Sequence, residues 1–124
     1  MMRNLLLILS ILTLLPCALF AEEQTTTSPG IIRLSIDSAI NPITAKFIRE
    51  QLDEANRRQE VALLIELNTP GGLDTAMREI IQAELGSSIP VIVYVAPAGA
   101  RAASAGALIT LAADFAAMAP GTNI

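Results

Sequence analysis

Val91-Ile92-Val93-Tyr94-Val95, followed five residues later by Ala100-Arg101-Ala102-Ala103-Ser104-Ala105-Gly106, decides how the chain is read. The first run is short, apolar and β-branched, the signature of a buried strand. The second surrounds one hydroxyl with small side chains and opens a further apolar run, Ala107 to Ala113. A strand, a tight turn of small residues and a short helix form a unit whose backbone another group can approach closely. A serine at the first turn of a helix stands where unpaired backbone N–H groups collect. Ser104 is therefore the first candidate functional residue, and a plain helix N-cap is its bland alternative.

Working outward, the same alternation of strand and helix recurs. Ile31 to Ile36 alternates apolar and polar positions and predicts a first strand. Asn41-Pro42 has the form of an N-cap and first helical position, and predicts a helix over Pro42 to Arg58. Its apolar stripe is expected from Ile43, Phe47, Ile48, Leu52 and Ala55, with Lys46 and the other charges opposite. Val61 to Leu67 is apolar almost throughout, as in a parallel strand covered on both faces. Glu66 interrupts it and needs a partner or a wet end. A second helix is expected from Asp74 or Thr75 to Leu85, burying Met77, Ile80, Ile81 and Leu85. Phe115 to Met118 completes a β-α-β-α-β-α-β order, which favours an α/β fold with a parallel sheet and right-handed crossovers.

The front of the chain has a different character. Arg3, an apolar run from Leu5 to Leu15, then Pro16, Cys17, Ala18 and Ala21 give the order of a secretory signal peptide over residues 1–21. Its apolar run is short for a span of roughly 20 residues. An uncleaved anchor and a lipoprotein at Cys17 are the alternatives. Residues 22–30 read as a flexible, polar lead-in, and residues 31–124 as the folded domain. Cleavage after Ala21 would leave 103 residues, no cysteine and a net charge of −5. That size allows one modest core, excludes disulfides and thiol nucleophiles, and does not fit nucleic acid, which selects basic patches.

Two loops fall at the C-terminal ends of adjacent strands, where parallel sheets bind ligands. One is the Ser104 turn. The other is Asn68-Thr69-Pro70-Gly71-Gly72, whose paired glycines let the backbone approach a ligand and present N–H groups to an oxyanion. The chain has no histidine, so a Ser-His-Asp triad is impossible within it. Ala102 occupies the first glycine position of a G-x-S-x-G elbow. The single lysine, Lys46, sits on the polar face of the first helix, where solvated surface is the natural reading. Scattered carboxylates without histidine give no metal set, and no cofactor is expected.

Three blocks, LNTPGGLDTAMREIIQ (67–82), IPVIVYVAPAGARAASAGALITLAAD (89–114) and AAMAPGTNI (116–124), closely resemble the NfeD family of membrane-associated serine proteases. The resemblance implies a Clp protease/crotonase-like superhelix of stacked β-β-α turns instead of one open, doubly wound layer. It makes Ser104 the nucleophile and the backbone N–H groups of Gly72 and Ala105 the oxyanion hole, with Pro70 and Gly71 on the substrate-groove loop. It also implies a Ser–Lys dyad whose lysine lies some tens of residues after the serine, beyond Ile124. On that reading residues 31–124 are the N-terminal part of the protease domain, inactive by themselves. The parent would be an exported, membrane-associated, homo-oligomeric endopeptidase cleaving apolar segments of a peptide or membrane-protein substrate. A non-catalytic peptide- or membrane-protein-binding module on the same fold is the alternative. An acyl-CoA-type crotonase fits less well with export and with a serine placed for attack.

Overall fold

The computed structural model describes residues 28–124. The expected leader, with Cys17, and most of the expected lead-in lie outside the described residues. Ser28 to Gly30 are exposed and carry no regular structure. The elements are β1 (Ile31–Asp37), α1 (Pro42–Arg57), β2 (Ala62–Asn68), α2 (Asp74–Leu85), β3 (Val91–Val95), α3 (Ala105–Ala112) and β4 (Phe115–Met118).

All four strands are parallel and stand in the order β1-β2-β3-β4. The order never reverses, so right-handed crossovers place every helix on the same face of the sheet. The helices accordingly stack on one another, α1 against α2 and α2 against α3. This is the one-directional growth of a superhelix, not a doubly wound layer. The helix-facing side chains of the central strands, Leu63, Ile65, Leu67, Val91, Val93 and Val95, are all fully buried. Each contributes about 1.5–3 kcal/mol of transfer free energy.

The expectation that β2 is covered on both faces needs correction. Leu64, Glu66, Ile92 and Tyr94 point away from the helices and are only half-buried. Glu66 resolves its conflict with the strand by pairing with Arg33 on β1 at 2.7 Å.

Asn41 caps α1 as expected, its Oδ1 accepting from the N–H groups of Ile43 (2.9 Å) and Thr44 (3.0 Å). The buried stripe of α1 is Thr44, Ala45, Ile48, Leu52 and Ala55. Ile43 is 81% exposed and Phe47 42%, contrary to the spacing-based expectation. The helix is clasped by the sheet and by α2, and that contact is rotated about one residue from the stripe that apolar identity alone defines. Leu85, expected in the core, is likewise 73% exposed at the last turn of α2. Lys46 is on the solvated side, its Nζ 3.7 Å from Glu50.

Beyond the strand ends the chain adds a second, shorter layer. Parallel bridges join Ile40 to Gly72, Thr69 to Ala102 and Arg101 to Asn123. These bridges run across the C-terminal ends of the sheet, and they hold the two candidate loops against each other.

Candidate active site

The site is built on Thr69. This residue is fully buried at the end of β2. Its N–H donates to the Arg101 carbonyl at 2.7 Å, and its carbonyl accepts from the Ala103 N–H at 3.1 Å. Its hydroxyl meanwhile accepts from the Gly71 N–H at 3.1 Å and reaches the Gly71 carbonyl at 3.3 Å. One residue thus ties the glycine loop to the serine turn, which lie about thirty residues apart in sequence.

The glycine pair is dictated by close approach. Gly71 has φ +104°, in the region that glycine alone enters without strain. A Cβ there would stand 2.9 Å from both the Ala103 carbonyl oxygen and Ser104 Cβ, and 3.5 Å from Ser104 Oγ. A Cβ on Gly72 would meet the Ile40 carbonyl oxygen at 1.9 Å. The Ile40 N–H donates to the Gly71 carbonyl and the Leu73 N–H to the Ile40 carbonyl, both at 2.9 Å, so this backbone cannot step aside. Pro70 and Gly72 are exposed on the loop, while Gly71 is buried against the serine.

Ser104 is exposed at the start of α3, with φ 54° and ψ −111°. A non-glycine residue there carries about 1–3 kcal/mol of backbone strain. The strain turns the side chain out of the capping position, for the hydroxyl makes no capping bond. The plain N-cap reading therefore does not describe it. The free hydroxyl lies beside Gly71, at the positive end of α3. In the first turn of α3 the Gly106 and Ala107 N–H groups are taken by the Ala103 (2.9 Å) and Ser104 (3.0 Å) carbonyls. The N–H groups of Gly72 and Ala105 donate to no acceptor among the described residues. Two free donors thus lie on the two loops that meet at one free hydroxyl. This arrangement can stabilise negative charge on an oxygen bonded to Ser104.

Residues 31–124 match the model of the NfeD1b N-terminal domain family. The chain belongs to that family. Over 123 residues the chain is 38% identical to the membrane-bound protease PH1510 of Pyrococcus horikoshii, covering 99% of the chain and 26% of that protein. Among solved structures it resembles the 1510-N membrane-bound stomatin-specific protease, in a lysine-to-alanine variant complexed with a substrate peptide. The TM-score is 0.72 and the identity 40%, over 78% of this chain and 44% of that one. Listeria monocytogenes ClpP1 matches with TM-score 0.64 and 26% identity, over 73% and 52% of the two chains. The fold is thus Clp protease-like. The chain spans about a quarter of the length of the curated relatives it matches and under half of the solved 1510-N protease chains.

Within the NfeD1b domain, sequence reasoning missed Thr69 and Gly106. Thr69 read as an ordinary loop residue, although a β-branched hydroxyl two positions before glycine is a recurring turn device. Gly106 read only as a small residue after the serine. A Cβ at Gly106 would lie 2.4 Å from Thr69 Cγ2 and 3.2 Å from Ala102 Cβ, so it permits α3 to press on the clamp. Gly106→Ala is expected to cost about 1–3 kcal/mol by overpacking, read by urea unfolding. An unchanged midpoint would show that this contact is not tight.

Proposed function

We propose that the protein carrying this domain is a membrane-associated serine endopeptidase that cleaves apolar peptide segments with a Ser–Lys dyad. The reading rests above all on the unpaired Ser104 hydroxyl set against a glycine loop, with free N–H groups at Gly72 and Ala105. In the cleavage step Ser104 Oγ attacks the peptide carbonyl carbon, and its proton passes to a neutral lysine. The carbonyl π electrons move onto oxygen, and the oxyanion accepts from Gly72 and Ala105 N–H. Each such donor contributes about 2.7–4 kcal/mol to the barrier reduction. Collapse of the tetrahedral intermediate breaks the C–N bond, and the lysine returns the proton to the leaving amine. Water then hydrolyses the acyl ester by the same route.

In the proposed dyad the lysine lies beyond Ile124, as the family resemblance implies, and Lys46, on the solvated side of α1, is not that base. The relative whose lysine variant is complexed with a substrate peptide supports that assignment, as does a related structure with a serine replaced by alanine. Export through residues 1–21, homo-oligomerisation and a membrane-protein substrate belong to the same proposal. Among the described residues no helix is long and apolar enough to cross a membrane.

The test is an acyl-enzyme. The full-length protein, quenched in acid during turnover of an apolar peptide ester, is expected to carry the acyl group on Ser104 by peptide mapping. An acyl group on another residue, or none with turnover continuing, would remove Ser104 from the chemistry. Peptide binding without any turnover would favour the non-catalytic module.

A further inference from the structure

Seven cationic side chains occur among the described residues, and six are within 4.0 Å of a carboxylate. The pairs are Arg33–Glu66, Lys46–Glu50, Arg49–Glu79, Arg57–Glu54, Arg58–Glu60 and Arg78–Asp74. The seventh is Arg101, three residues before Ser104. Ala100 and Ala102 on either side of it are buried at 4% and 0% exposure. By strand alternation the Arg101 side chain therefore faces outward from the bridged layer, and it is exposed. Its backbone is fixed, with the N–H donating to Asn68 Oδ1 at 3.1 Å and the carbonyl accepting from Thr69 N–H at 2.7 Å. Asn68 Nδ2 in turn donates to Asp37 Oδ1 at 2.9 Å, which fixes the Asn68 amide that holds the Arg101 backbone. Among the described residues one anchored guanidinium is thus left without an anion, three residues before the candidate nucleophile.

We propose that Arg101 is a specificity residue that binds a carboxylate of the peptide substrate; this deepens the endopeptidase reading and rests on it. Guanidinium pairs bidentately with carboxylate. Three residues of chain place Arg101 at most about 11 Å from Ser104. With the reach of the side chain, an extended peptide would offer the anion within roughly four residues of the scissile bond. The anion is an acidic side chain or a free C-terminus, and the two share this chemistry.

The experiment uses the full-length protein and apolar peptides amidated at the C-terminus. Glu, Gln or Lys is placed singly at each of the four positions on either side of the cleaved bond. A Gln peptide with a free C-terminus forms a further arm. At one position Glu is expected to exceed Gln in kcat/KM by roughly three- to tenfold, mainly through KM, as for a partly desolvated charge pair. Arg101→Gln should bring that ratio to one, and Arg101→Glu should transfer the preference to Lys. Lys46→Gln, on α1, should leave it unchanged. A gain confined to the free-acid peptide assigns the C-terminal carboxylate instead of a side chain. Equal cleavage of Glu and Gln peptides by the wild type, a preference that survives in Arg101→Gln, or one that follows net charge regardless of position would each overturn the proposal. If nothing is cleaved, the endopeptidase reading fails, and fluorescence anisotropy of the same peptides decides Arg101 separately. Tighter Glu binding lost in Arg101→Gln sustains it, and equal binding refutes it.

Discussion

Ser104→Gly is expected to abolish peptide hydrolysis by the full-length protein while making the domain more stable. Loss of the proposed nucleophile removes on the order of 10⁴-fold or more in kcat. The stability gain follows from the backbone. Ser104 has φ 54° and ψ −111°, which a side chain resists and glycine accepts. Relief of that strain, less the added entropy of glycine in the unfolded chain, leaves about 1 kcal/mol in favour of the variant. Ser104→Ala separates the two effects, because it removes the hydroxyl and keeps the strain. It should be equally inactive but within about 0.5 kcal/mol of wild type. Peptide hydrolysis and urea unfolding of all three proteins check this. Equal stability of the Gly and Ala variants would mean that the turn stores no strain, and substantial activity in either would displace Ser104.

The second large effect is at the opposite end of the sheet. Glu84 lies at the C-terminal end of α2, 4% exposed, and neither carboxylate oxygen has a hydrogen-bond partner among the described residues. Burial, with a smaller contribution from the nearby Asp114 carboxylate, raises its pKa from 4.5 to about 8. Asp114 is itself committed to the Val91 N–H at 2.8 Å. Between pH 4.5 and about 8 the folded state holds a proton that the unfolded state has released. Stability therefore falls as pH rises through this window, and the loss is complete above it. A shift of this size corresponds to about 3–5 kcal/mol. Glu84→Leu should remove that slope, with a gain in unfolding free energy that grows from pH 5 to pH 9 and is largest at the alkaline end. Urea unfolding at several pH values measures it. A gain that does not vary with pH would show that Glu84 is not held neutral in the folded protein.

These positions also show what the sequence makes readable. Strand and helix order, the Asn41 cap and the meeting of two small-residue loops follow from local rules, because apolar period, capping chemistry and the reach of a parallel sheet are encoded residue by residue. Which part of an apolar stripe is covered is not encoded locally. Ile43, Phe47 and Leu85 fit the period yet stay exposed, since the contact on each helix depends on how its neighbour sits. Glu84 was legible in principle, because it falls on the Met77–Ile80 stripe at i+7 and i+4, where an acid is out of place. Thr69 was not, since its importance comes from the backbone bonds it makes to Arg101 and Ala103, which loop position does not specify. Gly71, not Gly72, abuts the serine side chain, a distinction that depends on a positive φ that glycine identity permits but does not specify.

The unreversed strand order has a consequence for biogenesis. Each strand–helix unit packs on the one translated before it, an order that allows the units to be added as the chain is made. The glycine loop is translated about thirty residues before the Ser104 turn, so one wall of the candidate site is made first and the serine turn clamps onto it through Thr69.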